Sequence, residues 1–180
     1  MRINIQILYF HKINNNNPNI TNANHMTKLK ESQASGLSCG ISDKWIINLT
    51  KLEILHANNN LDITNVNHMT KLKTLSALYF CEINNDGISN IADLEISYAN
   101  TNTKITNVNH VTKLKELQAG GSLCGINNKG IINLTKLEIL YANYNTKITD
   151  VNHMTKLKTL LTSYDCGIND DGISNIANFL

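Results

Sequence analysis

Residues 113–135, KLKELQAGGSLCGINNKGIINLT, run straight into residues 136–155, KLEILYANYNTKITDVNHMT. The two phrases open alike and then diverge. Each gives leucine, two residues, leucine, one residue, alanine: Leu114, Leu117 and Ala119, then Leu137, Leu140 and Ala142. The same skeleton stands at Leu52, Leu55 and Ala57 and at Leu72, Leu75 and Ala77. A spacing of two between the second leucine and the alanine is strand periodicity, with both side chains on one face. Farther on, each phrase offers an isoleucine (Ile63, Ile83, Ile126, Ile148) and then an apolar pair, such as Val66 with Met69 or Ile88 with Ile91. One phrase therefore carries about six apolar groups, each contributing roughly 1.5–3 kcal/mol when buried. Chain entropy offsets most of that, so a single phrase does not fold alone.

The duplication extends along the chain. KLKTLSALYFCEINNDGISNI (71–91) returns as KLKTLLTSYDCGINDDGISNI (156–176), and KLEILHANNN (51–60) returns as KLEILYANYN (136–145). Inside this larger unit, repeats of about 20 residues alternate with repeats of 22 or 23. Seven positions one repeat apart read Lys30, Glu53, Lys73, Glu95, Lys115, Glu138 and Lys158, changing sign at every step. A chain that coils, laying each strand about 4.8 Å from the last, brings such residues face to face. A slip of one coil would oppose like charges, so the column fixes register as well as adding stability.

The pattern resembles the leucine-rich repeat family over about residues 28–180. The short repeats resemble the asparagine type, with Asn60, Asn102 and Asn145 after the strand; their Ile148-Thr149-Asp150 is similar to internalin-type repeats. The long repeats resemble the cysteine type, as in CGINDDGISNI (166–176). The alternation of kinds, the Asn-rich bias (roughly one residue in six) and the phrase NHMTKLKTL also resemble the repeat proteins of mimivirus-type giant viruses. The resemblance implies an α/β solenoid of about eight coils. A parallel sheet lines its concave face and short 3₁₀ or irregular segments line its convex face. Residues 1–27 read as a degenerate N-terminal repeat or cap, and 28–180 as one continuous domain.

Several columns invite a functional reading. Cys39, Cys81, Cys124 and Cys166 occupy alternate repeats, so neighbours stand two coils apart, about 9–10 Å. That exceeds disulfide reach and prevents convergence on one metal. We read them as reduced, buried thiols at the place of the short-repeat asparagines, which points to an intracellular compartment. His25, His68, His110 and His153 alternate with Asn48, Asn90, Asn133 and Asn175. That column most simply satisfies backbone groups of adjacent coils; a pH switch is the alternative. A second edge row, Lys28, Lys51, Lys71, Lys113, Lys136 and Lys156, is broken only by Asp93 and reads as a solvated rim. Trp45 stands where sister repeats have Gly87, Gly130 and Gly172, as a core filler or an exposed anchor.

The outward strand positions are where a partner would be read: Gln33, His56, Ser76, Tyr98, Gln118, Tyr141 and Leu161 at the centre. Beside them run Ser35, Asn58, Leu78, Asn100, Gly120, Asn143 and Ser163, with Tyr79, Tyr144 and Tyr164 adjacent. Rigid amphipathic rings among small hydrogen-bonding groups suit a protein-binding face. We therefore expect a non-enzymatic protein-interaction module whose binding face includes Gln33, His56, Asn58, Tyr79, Tyr98, Asn100, Gln118, Tyr141, Asn143, Tyr144 and Tyr164.

No glycine-rich phosphate loop, nucleophile elbow or HExxH motif is present, and no cofactor is implied. A net charge of +2 with 17% charged residues argues against nucleic acid as partner. No apolar run reaches the roughly 18 residues needed to cross a membrane, and the N-terminus lacks the pattern of a signal peptide. The sequons at Asn19, Asn48 and Asn133 then carry no glycan. We expect a cytoplasmic location, the host cytoplasm if the protein is viral. Two alternatives accompany this reading. One is an assembly component joined end to end, since ANFL (177–180) reads as the start of another strand and the last coil as uncovered, or as the cut of a longer product. The other is a ubiquitin-ligase adaptor, disfavoured because 27 residues leave no room for an F-box.

Overall fold

The structure, a computed structural model, describes the strand backbone at 12–14 and residues 24–176. The expected cap over 1–27 and the ANFL end thus lie largely outside the described residues. Eight strands follow in chain order: β1 (Lys12–Asn14), β2 (Glu31–Gln33), β3 (Ile54–His56), β4 (Thr74–Ser76), β5 (Ile96–Tyr98), β6 (Glu116–Gln118), β7 (Ile139–Tyr141) and β8 (Thr159–Leu161). They form one sheet in which each strand pairs in parallel with the next. Between β2 and β8 the chain closes six full turns of a parallel-sheet solenoid.

The skeleton explains the core. In the coil of β3, Leu52, Leu55, Ala57, Ile63, Val66 and Met69 are all buried. The coil of β4 buries Leu72, Leu75, Ala77, Cys81, Ile83, Ile88 and Ile91. Each coil covers only its neighbours, so the core is a continuous apolar column rather than a central nucleus.

Opposite the sheet, the long repeats each carry one turn of α-helix: α1 (Asp43–Ile46), α2 (Asn85–Ile88), α3 (Asn128–Ile131) and α4 (Asp170–Ile173). This differs from the expected 3₁₀ or irregular segments; the short repeats show only turns at the matching place. The helical turn forms because an asparagine precedes it in three of the four. Asn84 accepts from Gly87 N–H at 2.9 Å, Asn127 from Lys129 N–H at 2.9 Å, and Asn169 from Gly172 N–H at 3.1 Å. The glycine inside the turn is required by its neighbour. A Cβ on Gly87, Gly130 or Gly172 would lie 2.0, 1.9 or 2.1 Å from a threonine carbonyl oxygen of the preceding coil. Trp45, at the matching place in α1, is half-buried and packs against the core.

Candidate binding face

Coil-to-coil polar ladders set the face. Asn60, Asn102 and Asn145 are fully buried. The Asn60 Nδ2 donates to the carbonyls of Ala34 (2.7 Å) and Ile41 (3.0 Å), and its Oδ1 accepts from Asp62 and Ile63 N–H at 2.8 and 3.0 Å. Asn145 repeats the reach, to Ala119 and Ile126 carbonyls at 2.7 and 3.1 Å. Where the long repeats have cysteine, the thiol supplies only a weak contact, such as Cys124 Sγ to the Ala99 carbonyl at 3.5 Å. Cys39, Cys81 and Cys124 are buried, Cys166 is partly so, and all four are free thiols. Burial pushes the Cys81 thiol up to about 12 and also raises Cys39 and Cys124.

On the helical side, the histidine column bonds backbone. Nε2 of His68, His110 and His153 lies 2.8, 2.8 and 2.9 Å from the carbonyls of Ile46, Ile88 and Ile131, each closing the helical turn of the preceding coil. The residue before each histidine works the other way, a role the sequence reading missed. Asn67 Nδ2 donates to the Asp86 carbonyl at 2.7 Å, and its Oδ1 accepts from Asn90 N–H at 2.8 Å. Asn109 and Asn152 repeat both bonds. The repeating phrase NH in the short repeats was its only signal.

At the strand-start edge, the alternating charges make ion pairs. Lys30 bonds Glu53, Lys115 bonds Glu95 at 2.7 Å, and Lys158 bonds Glu138 at 2.8 Å. Lys73 lies between Glu53 and Glu95 and helps hold both carboxyls below their ordinary range, behind the larger effect of their hydrogen-bonded lysines. Lys113 pairs with Asp93, the one acid in the outer row, at 2.6 Å.

With the coils in register, the outward row falls into line: Gln33, His56, Ser76, Tyr98, Gln118, Tyr141 and Leu161 are successive cross-strand partners. Ser76 is buried, Leu161 is exposed and the others are half-buried. Burial, then the Glu116 carboxylate, raises the Tyr98 phenol above its usual range, and Tyr141 adds to the effect. The glutamines are tethered: Gln33 to Glu31 at 3.2 Å and Gln118 to Glu116 at 3.3 Å.

The flanking asparagines are less available than their composition suggests. Asn58 Oδ1 accepts from Ser76 Oγ (2.7 Å) and Leu78 N–H (3.0 Å). Asn100 accepts from Gly120 N–H at 2.7 Å and donates to Gln118 Oε1 at 3.0 Å. Asn143 accepts from Ser163 N–H and Oγ at 2.8 and 2.9 Å. These acceptors hold the next coil, leaving the rings as the outward-directed groups.

The next row turns the chain out of the strand in a left-handed conformation. Gly36, Asn59, Tyr79, Thr101, Gly121, Tyr144 and Tyr164 all have positive φ, from 56° to 110°. Tyr144 and Tyr164, on adjacent coils, stack with centroids 4.6 Å apart and planes 6° from parallel. Tyr79 stands three coils from Tyr144, so the structure brings two of these three rings together. Just beyond in the chain, Leu37, Leu61, Phe80 and Leu123 are exposed apolar side chains that the sequence reading overlooked. In the long repeats the sign was Leu37 two places before Cys39, and Phe80 and Leu123 directly before Cys81 and Cys124, where the fourth repeat has Asp165 before Cys166.

Among the described residues, no three His, Cys, Asp or Glu side chains could hold one metal ion, and no helix is long and apolar enough to cross a membrane.

Stacked parallel strands over leucine columns, with a buried asparagine after the strand, make a parallel-sheet solenoid with the fold of leucine-rich repeat proteins. The chain is similar to two solved structures from Listeria monocytogenes. One is an internalin (inlF), 24% identical with a TM-score of 0.57, over 86% of this chain and 46% of that one. The other is internalin C2, 21% identical with a TM-score of 0.56, over 85% and 71%. This chain therefore spans less than half of the first. No protein-family profile matches the chain, and no curated protein does.

Proposed function

We propose that the chain is a non-enzymatic recognition module that reads a protein partner with its strand face. The observation that carries this is the set of rings: Tyr98 and Tyr141 in one cross-strand row, with the exposed Tyr144–Tyr164 stack beside it. Tyrosine gives large contact area with few rotors to immobilise, and such anchors dominate interface energetics. The left-handed backbone adds support. A non-glycine residue there costs of order 1–3 kcal/mol, and such strain gathers at functional sites. Buried reduced thiols fit a cytoplasmic location, and the alternation of Asn and Cys repeats supports kinship with the giant-virus repeat proteins.

Replacing Tyr98 and Tyr141 by Ala tests the reading. Loss of partner capture with an unchanged melting temperature supports it; full capture by the double variant refutes it. End-to-end assembly is the second reading. Filaments that grow with concentration, and unimpaired capture by the tyrosine variant, would select it. The ubiquitin-ligase alternative gains nothing from this geometry.

A further inference from the structure

The two rows at the strand starts concentrate charge in a way the whole-chain total conceals. They hold ten lysines and four carboxylates (Glu53, Asp93, Glu95, Glu138), net +6, on a chain whose total is +2. The rest of the chain is therefore net −4. Each of the four carboxylates is held by one lysine. Lys51, Lys71, Lys136 and Lys156 are exposed and make no ion pair among the described residues. Toward the β8 end the edge forms a shallow depression of about 370 Å³ lined by Glu95, Lys113, Lys115, Lys136, Glu138 and Lys156.

We propose that this edge is a second docking surface, taking an extended acidic segment (Asp- or Glu-rich) of a partner polypeptide laid along the solenoid axis. From Lys51 to Lys156 is five coil steps, about 24 Å, the length of about seven extended residues. Lysine offers compact, rotatable donors that suit carboxylates without demanding planar geometry. The rows hold no arginine and no aromatic ring, so bases find nothing to stack on. The interleaved glutamates repel a phosphate every few ångströms, as along a nucleic acid strand, but leave room for the sparser carboxylates of a peptide. Nor do the rows hold an apolar side chain that would enter a lipid surface. The acidic segment is thereby favoured over nucleic acid or membrane.

Fluorescence anisotropy with a labelled ten-residue alternating Glu-Gly peptide tests this, beside a Lys-Gly peptide, a single-stranded oligonucleotide and phosphatidylserine vesicles. The Glu-Gly peptide should bind in preference to the other three. Its affinity should fall roughly tenfold in the Lys136→Gln/Lys156→Gln variant, and further as salt rises from 50 to 500 mM. The melting temperature of that variant should match the parent, since neither lysine is ion-paired among the described residues. Equal binding of the two peptides, tighter binding of the oligonucleotide or vesicles, or an unaffected double variant would overturn the proposal. The Tyr98→Ala/Tyr141→Ala variant should bind the Glu-Gly peptide normally, so this edge and the tyrosine face fail or stand independently.

Discussion

Asn102→Leu should be among the most damaging isosteric changes in the molecule. Asn102 is 0% exposed in the middle of the stack. Its Nδ2 donates to the carbonyls of Ala77 at 2.8 Å and Cys81 at 3.4 Å, and its Oδ1 accepts from Lys104 and Ile105 N–H at 2.7 and 3.0 Å. Leucine keeps the volume and removes every partner. The Cys81 contact is long and counts for little, which leaves three backbone groups stranded. A buried polar group deprived of its partner costs about 1–3 kcal/mol, so three of them give an expected loss of about 3–9 kcal/mol. That is a large part of the roughly 5–15 kcal/mol that holds an ordinary domain folded. Cys124→Ala, at the equivalent place in a long repeat, removes one weak S–H contact and a small volume, and should cost only about 1–2 kcal/mol. Urea unfolding followed in parallel by circular dichroism and by Trp45 fluorescence measures both. Because coils couple only to neighbours, a fault at Asn102 should also separate the two signals, with the Trp45 side and the whole chain melting apart. A loss below about 1 kcal/mol for Asn102→Leu, or a larger loss for Cys124→Ala, would refute the assignment of the asparagine column as the main polar support.

Gly130→Ala places a methyl 1.9 Å from the Thr106 carbonyl oxygen and should cost at least about 3 kcal/mol in the same assay; a neutral result would mean the coils are not this close. The carboxyls of Glu53, Asp93, Glu95 and Glu138 are held low by their lysines. Their stabilising effect is therefore complete above the unfolded value of roughly 4 and is lost as the pH falls through the lower folded value. The melting temperature should drop on acidification from pH 5 to 3. It should drop less in a Glu53→Gln/Glu95→Gln/Glu138→Gln variant; identical pH profiles would exclude the ladder as the source. Tyr79→Asn should melt no lower than the parent, since Asn59 occupies the same left-handed place at φ 56°, while partner capture weakens; a clear loss of stability would show that the ring supports the fold.

The register was legible because the repeat length carries it. Once Leu55, Leu75, Leu117 and Leu140 are aligned as the inward residue, the ion pairs of Lys30 with Glu53, Glu95 with Lys115 and Glu138 with Lys158 follow. So does the outward row from Gln33 to Leu161. What stayed hidden lies between the strands. Nothing about tyrosine announces a positive φ, although Gly36, Asn59 and Gly121 in the same column were the available sign. The helical turns were missed because four residues are too few for a hydrophobic period; the asparagine cap and the glycine at the close approach decide them. Asn58, Asn100 and Asn143 read from composition as free contacts, but their acceptors serve the next coil. Composition cannot distinguish an asparagine that displays its amide from one that closes a backbone gap.

These two uses of polar residues divide the molecule. Asparagine and histidine answer backbone groups on the inside of the turns and on the helical side, glycine answers a close approach, and lysine with glutamate fixes register. Each of those choices follows from stacking one coil on another. Tyr79, Tyr144 and Tyr164 do not: all three are exposed and sit where glycine or asparagine would be easier for the chain. The 4.6 Å stack of Tyr144 on Tyr164 returns part of the strain, since such ring pairs contribute about 0.5–1.5 kcal/mol. Phe80 and Leu123 are likewise largely exposed. The demands of the solenoid leave this edge unexplained, and the proposed partner contact is the reading that accounts for it.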